Sequence, residues 1–281
     1  MLSSVDGVLG WQLIKNNVLM LDAVKHTLLK LCKVPKDATA WTRLRLQTNL
    51  DVLGLDVSNQ RGVQATILID TGSPGGISLN PQMWREWKAF HTNPPITLNA
   101  YYTPTIGVVA MEESWTHEIA LGPVVLTDVP VMEADSTDVA LGTSMQGQYE
   151  ATLGLAALKR LDIIIDGKHG IAYLRLKKTR PLPYEHNRLG ANFVPATSQS
   201  NELVAKVAAS SPAQEAGIQN GDVLLKLDEL DVSLSNLDIL RKFWMPPGTK
   251  INFTLKRDGK IFKTTAVLRN ILPPDPPKNS N

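Results

Sequence analysis

The sequence predicts a mainly β protein of two domains with a short tail. The chain has 281 residues, more than a single domain of ordinary size usually contains. Residues 41–178 are rich in short apolar or alternating runs of the β type, with few helical patterns. A stretch with proline and arginine at residues 179–186 is a predicted linker to residues 187–272. Residues 273–281 are proline-rich and predicted to be disordered.

The composition is that of an ordinary globular protein and excludes several classes of partner. Apolar residues make up 43%, charged residues 20%, and the net charge is +2. This balance predicts binding neither to nucleic acid nor to a membrane surface. No apolar run approaches the roughly 18 residues that a membrane-spanning helix needs. The sequence leaves the compartment open, and we expect a periplasmic or secreted protein if a signal peptide lies upstream.

A weak internal repeat links the first residues with a later segment. Asp6–Lys30 can be laid over Glu150–Leu174 at a fixed offset of 144 residues. Both copies have an apolar-apolar-glycine turn, a short helical pattern and a strand that ends in aspartate, at Asp22 and Asp166. This shared order favours duplication over chance.

One aspartate, Asp70, follows an apolar strand. Burying a carboxylate at such a place costs free energy, so the aspartate is expected there only if it has a function. The strand runs through Ile67–Ile69 into Asp70, and Leu153-Gly154, a short helix and a strand ending in aspartate follow downstream. Together these motifs resemble retropepsin-like and pepsin-like aspartic proteases over residues 45–178. The alternative is that Asp70-Thr71-Gly72 forms a polar turn that closes a hairpin and has no catalytic role.

The resemblance implies a retropepsin-like acid-protease β-barrel lobe at residues 41–178 and an aspartic endopeptidase that uses an aspartate-activated water. It gives each matching residue a role. In the implied catalytic motif, Asp70 is the acid and base and Thr71 buttresses the turn. Gly72 lets the substrate backbone approach, and Ser73 supports the carboxylate. Leu153 and Gly154 support this motif from behind. The implied flap contains Tyr102, Pro104, Ile106 and Gly107, although an ordinary hairpin fits those residues equally well.

The mechanism needs two aspartates that share a proton, yet the motif occurs once in the sequence. We therefore expect the second aspartate to come from a missing N-terminal lobe or from a homodimer partner. Residues 1–31 fit a C-terminal remnant of a first lobe, which favours the missing lobe. No cofactor is expected.

Two other chemistries fit the sequence less well. The run Gly72 to Gly76 superficially resembles the nucleophile loop of serine proteases, but only His26 precedes Ser73, and it lies too close in sequence to build the intervening barrel. The five histidines are scattered and Cys32 is the single cysteine. The sequence therefore indicates no metal site and excludes an internal disulfide.

The last domain carries a specific order of short motifs. Ser211-Pro212-Ala213 is followed by an Ala-Gly turn and then by Gly221-Asp222 before an apolar strand. This order resembles PDZ domains of the bacterial, HtrA-like type, which bind an extended peptide by strand addition. The resemblance places the peptide at the loop Leu189, Gly190 and Ala191, the strand Asn192 and Phe193, and the helix residues Leu237, Leu240 and Arg241.

The sequence thus predicts an aspartic endopeptidase whose PDZ domain recruits peptide or protein substrates. The alternative is a non-catalytic peptide-binding PDZ protein in which the protease-like lobe is a scaffold. Loss of proteolysis in Asp70→Asn would separate the two.

Overall fold

The computed structural model describes residues 9–47, 51–58, 64–103, 107–134, 149–178, 183–197, 200–232 and 241–273. The predicted flap residues Pro104 and Ile106, the side chain of Tyr102 and the predicted helix residues Leu237 and Leu240 lie outside this part of the chain. No helix within these ranges is long and apolar enough to pass through a membrane.

The first domain consists mainly of strands, so the mainly β class is confirmed. Its helices are α1 (Trp11–Ile14), α2 (Pro81–Phe90) and α3 (Leu155–Leu158), and a short 3-10 helix covers Lys36–Ala40. Its strands are β1 (Val18–Asp22), β2 (Thr27–Leu31), β3 (Thr42–Gln47), β4 (Gly54–Ser58), β5 (Gln64–Ile69), β6 (Ile77–Leu79), β7 (Thr97–Thr103), β8 (Gly107–Leu121), β9 (Val124–Glu133), β10 (Ala151–Leu153), β11 (Leu161–Asp166) and β12 (Ile171–Leu176).

These strands form one 12-stranded sheet in the order β2-β1-β11-β12-β3-β4-β5-β10-β6-β9-β8-β7. The order ends at β2 on one side and at β7 on the other, so the sheet described here is open. The expected retropepsin-like closed barrel is not confirmed, because no hydrogen-bonded pairing in the described residues joins those two end strands. The main hydrophobic core includes side chains of this sheet and of α3, among them the fully buried Ile77, Leu126 and Leu158.

The centre of the sheet brings distant segments together. Strand β10 pairs in parallel with β5, with Leu153 opposite Ile69. On its other side β10 pairs antiparallel with β6, with Leu153 opposite Ile77. Because β5 leads into Asp70 and β10 leads into Gly154, the two sequence motifs meet at the ends of adjacent strands.

The two halves of the internal repeat have the same secondary structure. The first half forms α1, β1 and β2, and the second forms α3, β11 and β12 at equivalent positions. Strands β1 and β11 then pair antiparallel, with Leu19 opposite Ile165 and Leu21 opposite Ile163. Their packing is close, since a Cβ added at Gly167 would lie 1.7 Å from the carbonyl oxygen of Lys15.

The second domain has its own sheet and core. Its strands are β13 (Ala191–Pro195), β14 (Leu203–Val207), β15 (Val223–Leu227), β16 (Leu230–Asp231), β17 (Lys250–Arg257) and β18 (Lys260–Val267), and α4 covers Pro212–Glu215. The sheet order is β13-β14-β15-β17-β18, with β16 paired to β15. Phe193, Phe243 and Phe253 pack together in the core with ring centroids 6.0 to 6.3 Å apart. Asp258 and Gly259 form the tight turn between β17 and β18, where both residues adopt positive φ.

Candidate functional site

The turn that follows β5 is braced by the segment after β10. The Asp70 N–H donates to the Leu153 carbonyl at 3.0 Å, and the Leu155 N–H donates to the Ser73 carbonyl at 2.8 Å. Gly154 is required here, since an added Cβ would lie 2.5 Å from the Gly75 carbonyl oxygen. The structure therefore brings the predicted motif and its predicted support into contact.

The Asp70 side chain is exposed and bonded within its own turn. Its Oδ1 accepts from the Gly72 N–H at 2.8 Å, the common arrangement of an aspartate that stabilises a turn. Thr71 is also exposed, and Ser73 is half-buried. Within the described residues no second carboxylate is bonded to Asp70, so this part of the chain does not form a pair of aspartates there.

The hairpin of β7 and β8 packs against this turn. Its strands pair from Thr97 opposite Glu113 to Thr103 opposite Gly107, so the predicted flap residue Gly107 begins β8. The Tyr101 hydroxyl contacts Met132 Sδ at 3.0 Å and lies close to Gly75. The middle of the hairpin thus touches the turn that carries Asp70.

The base of the same hairpin holds a buried carboxyl group. Glu113 is fully buried, the Tyr184 hydroxyl donates to its Oε1, and its Oε2 has no partner in the described residues. Burial raises the pKa of Glu113 to about 7, although the Tyr184 hydrogen bond acts in the opposite direction. The Tyr184 ring also packs against Trp115, with centroids 6.3 Å apart. Residues 183–186, predicted as part of a linker, therefore include a buried contact.

Asn187 connects the two domains. The Thr97 hydroxyl donates to the Asn187 carbonyl at 2.6 Å. The Asn187 side-chain Nδ2 donates to the Leu98 carbonyl at 2.9 Å. Both Thr97 and Asn187 are buried, so these bonds are shielded from water and fix the second domain against β7.

The same side chain also faces the predicted peptide-binding loop. Asn187 Oδ1 accepts from the N–H groups of Leu189 at 2.9 Å and Gly190 at 3.2 Å. Its Nδ2 further donates to the Ala191 carbonyl at 2.9 Å. Two of the loop N–H groups that were expected to face a peptide terminus are therefore already occupied.

Strand β13 lies at the edge of its sheet and pairs only with β14 in the described residues. Phe193 lies opposite Ala205, whose N–H and C=O both bond toward the β15 side, to Asp222 and Gly221. Phe193 and Ala205 are therefore a non-hydrogen-bonded pair, and the Phe193 N–H and C=O point to the free edge. Phe193 is nevertheless fully buried, so this edge is covered in the structure.

Two further motifs of this domain are structural. Ser211 caps α4 by accepting from the Gln214 N–H at 3.3 Å. Asp222 is buried and binds Arg257 through both carboxylate oxygens, at 2.6 and 2.7 Å. Arg241, predicted to line the groove, is exposed.

Residues 187–268 match the family model of the PDZ domain. The chain contains a PDZ domain. The loop Leu189 to Ala191 and the edge strand β13, for which the sequence predicts peptide binding, both lie within the matched residues. None of the curated proteins compared with this chain matches it.

Several solved structures resemble the chain over most of its length, all weakly. An HtrA-type protease, AlgW, with a tripeptide has 13% identity and a TM-score of 0.28 and covers 94% of each chain. AlgW with a decapeptide has 13% identity and a TM-score of 0.26 over 82% of this chain and 81% of that one. The serine endoprotease from Yersinia pestis has 12% identity and a TM-score of 0.23 over 91% and 85%. Scores this low assign no mechanism to the first domain.

The prediction of an aspartic, retropepsin-like endopeptidase is wrong on these comparisons. The solved structures named above are HtrA-type proteases and a serine endoprotease, and they include no aspartic protease. A second aspartate from a missing lobe or a partner copy is likewise unsupported. The physical weakness of the prediction is that its chemistry needs two carboxylates, whereas the described residues place only Asp70 at this turn.

In the part of the chain that the structure describes, no serine-protease site forms around Ser73 either. His26 is exposed in the turn between β1 and β2, with a φ of 53°. Among the described residues no histidine is hydrogen-bonded to Ser73, so the base that a serine nucleophile needs is missing there.

Sequence reasoning missed Glu113, Tyr184 and Asn187. Strand alternation places Glu113 on the same face as Trp115, which is a signal that the carboxyl group could be buried. Asn187 precedes the loop by two residues, a spacing at which asparagine often bonds to the backbone ahead of it. Tyr184 gave no comparable signal, because its partner Glu113 is 71 residues away.

Proposed function

We propose that this chain binds extended segments of peptides or proteins by adding them as a strand to the free edge of β13. The observation that carries the proposal is the position of β13, an edge strand of a PDZ domain whose Phe193 N–H and C=O point away from β14. Strand addition at an exposed sheet edge is how PDZ domains recognise peptides.

The covered state of this edge sets a condition on binding. Phe193 is fully buried, and β13 contacts β7 and β8 of the first domain. A ligand therefore reaches the Phe193 N–H and C=O only after the β7–β8 hairpin moves away from β13. Binding therefore costs the free energy of opening, and the apparent affinity falls by the fraction of molecules that are closed. The affinity of the full chain is expected to be modest.

Hydrogen exchange with a library of short peptides tests the proposal on the full chain. A bound strand should protect the Phe193 amide, which then donates to the ligand. The Val194 amide is the matched control, since Val194 forms a hydrogen-bonded pair with Val204 and should not change. Binding without protection of Phe193 would place the ligand elsewhere, and failure of every extended peptide to bind would refute the function.

The backbone of the ligand provides a second test. N-methylation of the peptide at the residues whose N–H faces β13 should abolish binding, because each methyl group removes a ladder donor. N-methylation at the alternate residues, whose N–H faces away, should have a smaller effect. Equal loss in both series would argue against strand addition.

A further inference from the structure

We infer that the PDZ domain recognises the internal part of an extended segment and not its terminal carboxylate, because the side chain of Asn187 occupies the loop that would hold that carboxylate. This inference rests on the proposed function and specifies the class of ligand. It depends on the loop formed by Leu189, Gly190 and Ala191, and on what its N–H groups already bind.

Asn187 fills the position that a carboxylate oxygen would take. Its Oδ1 accepts from both the Leu189 and the Gly190 N–H groups, at 2.9 and 3.2 Å. A peptide carboxylate captured by backbone N–H groups needs the same donors. One side-chain oxygen of the protein therefore stands in for one oxygen of a ligand terminus.

The orientation of the Asn187 amide is fixed by its surroundings. Oδ1 faces two donors, whereas Nδ2 faces two carbonyl acceptors, Leu98 and Ala191, each at 2.9 Å. Rotating the amide would place donors against donors and acceptors against acceptors. Asn187 is also buried, with 1% of its surface exposed. Displacing it would leave buried polar groups without partners, which is unfavourable.

The loop has little room to rearrange around an incoming carboxylate. Gly190 has a φ of +69°, and a Cβ there would lie 2.4 Å from Ser211 Cβ. The guanidinium group of Arg188, which precedes the loop, is also bonded to other groups. Arg188 binds Glu185 at 3.0 Å, Asn270 at 2.8 Å and the Trp244 carbonyl at 2.7 Å.

At the edge of β13, Asn187 donates to the Ala191 C=O but makes no bond to Phe193. The Phe193 N–H and C=O point outward without any involvement of Asn187. Once this edge is uncovered, a ligand strand can therefore pair with Phe193 and continue beyond the loop at the start of β13, as the middle of a longer chain does. A ligand with a free terminus gains nothing at Leu189 and Gly190.

Pairs of peptides with the same sequence, one ending in a free carboxylate and one in an amide, test the inference on the full chain. Two charge-assisted bonds from the loop would favour the free acid by more than about tenfold. We expect the wild-type protein to bind both forms within about twofold. A preference for the acid of tenfold or more would overturn the inference while supporting the proposed function, and binding of neither form would refute both.

The variant Asn187→Ala gives the complementary result. It frees the Leu189 and Gly190 N–H groups, so we expect it to gain a preference of about tenfold for the free acid. Asn252→Ala, at an exposed position on β17, is the control and should behave like the wild-type protein. A folded Asn187→Ala that still ignores the carboxylate would also overturn the inference. If this variant does not fold, the wild-type comparison decides alone.

Discussion

The first domain has two junctions that are built in opposite ways. Strands β1 and β11 meet through a regular antiparallel ladder, with buried apolar side chains such as Leu21 and Ile163. The base of the β7–β8 hairpin meets the PDZ domain and the preceding segment through single polar side chains, among them Glu113, Tyr184 and Asn187.

This difference determines what can change each junction. A backbone ladder with apolar packing responds mainly to the volume of its side chains. A junction that depends on one buried carboxyl group responds to its protonation, because ionising a buried group is costly. We therefore expect the ladder to be sensitive to truncation and the polar junction to be sensitive to pH.

The largest expected effect is at the ladder. Ile163 is 1% exposed in β11, and Ile163→Ala should lower the free energy of unfolding by about 4 kcal/mol, since it removes buried atoms and leaves a cavity. Leu29→Ala in β2, where Leu29 is 49% exposed, is the control and should cost less than about 0.5 kcal/mol. Urea unfolding measures both, and equal losses would contradict the packing described for the ladder.

The next effect is the pH dependence of the polar junction. The pKa of Glu113 is raised from 4.5 to about 7, so its neutral form is favoured in the folded protein. Its contribution to stability is full below about pH 4.5 and is lost as the pH rises through about 7. The loss is at most about 3.5 kcal/mol, given about 1.4 kcal/mol for each of the roughly 2.5 pKa units between 4.5 and 7.

Urea unfolding at about pH 5 and about pH 8 checks this prediction. The variant Glu113→Gln keeps a neutral polar group and should show a smaller change in stability across the same interval. Tyr184→Phe removes the hydroxyl that donates to Glu113 without changing the ring that packs on Trp115. If the wild-type protein became more stable between about pH 5 and about pH 8, the predicted direction of the change would be wrong.

The smallest expected effect is the pH dependence at the β1–β11 ladder, where stability is lost in acid and not in base. Burial tends to raise the pKa of Asp22, but hydrogen bonds from the Lys25 and Val24 N–H groups and the charge of Lys177 lower it below 3.8 overall. This contribution is present above about pH 3.8 and is lost as the pH falls through the lowered pKa. We expect Asp22→Asn to cost less than about 1 kcal/mol at neutral pH and to reduce the loss of stability in acid. A larger acid loss in the variant would exclude this role.

The sequence predicted the features that depend on neighbouring residues. The two strands joined by Asp258-Gly259 and the helix after Gly154 follow from local alternation and turn residues. The repeat was also visible, because both halves keep the same spacing. The polar junction was not predictable, since Asn187 and Leu98 are 89 residues apart and only the fold brings them together.

The chemical assignment failed for a related reason. The motif at Asp70 and the segment at Gly154 do meet, and that contact follows from strand pairing. Catalysis by aspartates depends in addition on a second carboxylate at the same place. A short motif describes its own turn, and it carries no information about which other groups surround that turn.

The length of β8 gives the β7–β8 hairpin the geometry of a lever. The strand covers 15 residues, or about 50 Å, and Glu113 lies about 20 Å along it from Gly107. The bond between Tyr184 and Glu113 lies at the pivot, whereas the Tyr101 hydroxyl, farther along the arm, lies close to Gly75 in the segment after Asp70. A rotation of about 6° at the pivot would displace Gly107 by about 2 Å, and would displace Tyr101, which lies opposite Val109, by about 1.4 Å. A small adjustment beside the PDZ domain would therefore become a larger movement along the hairpin.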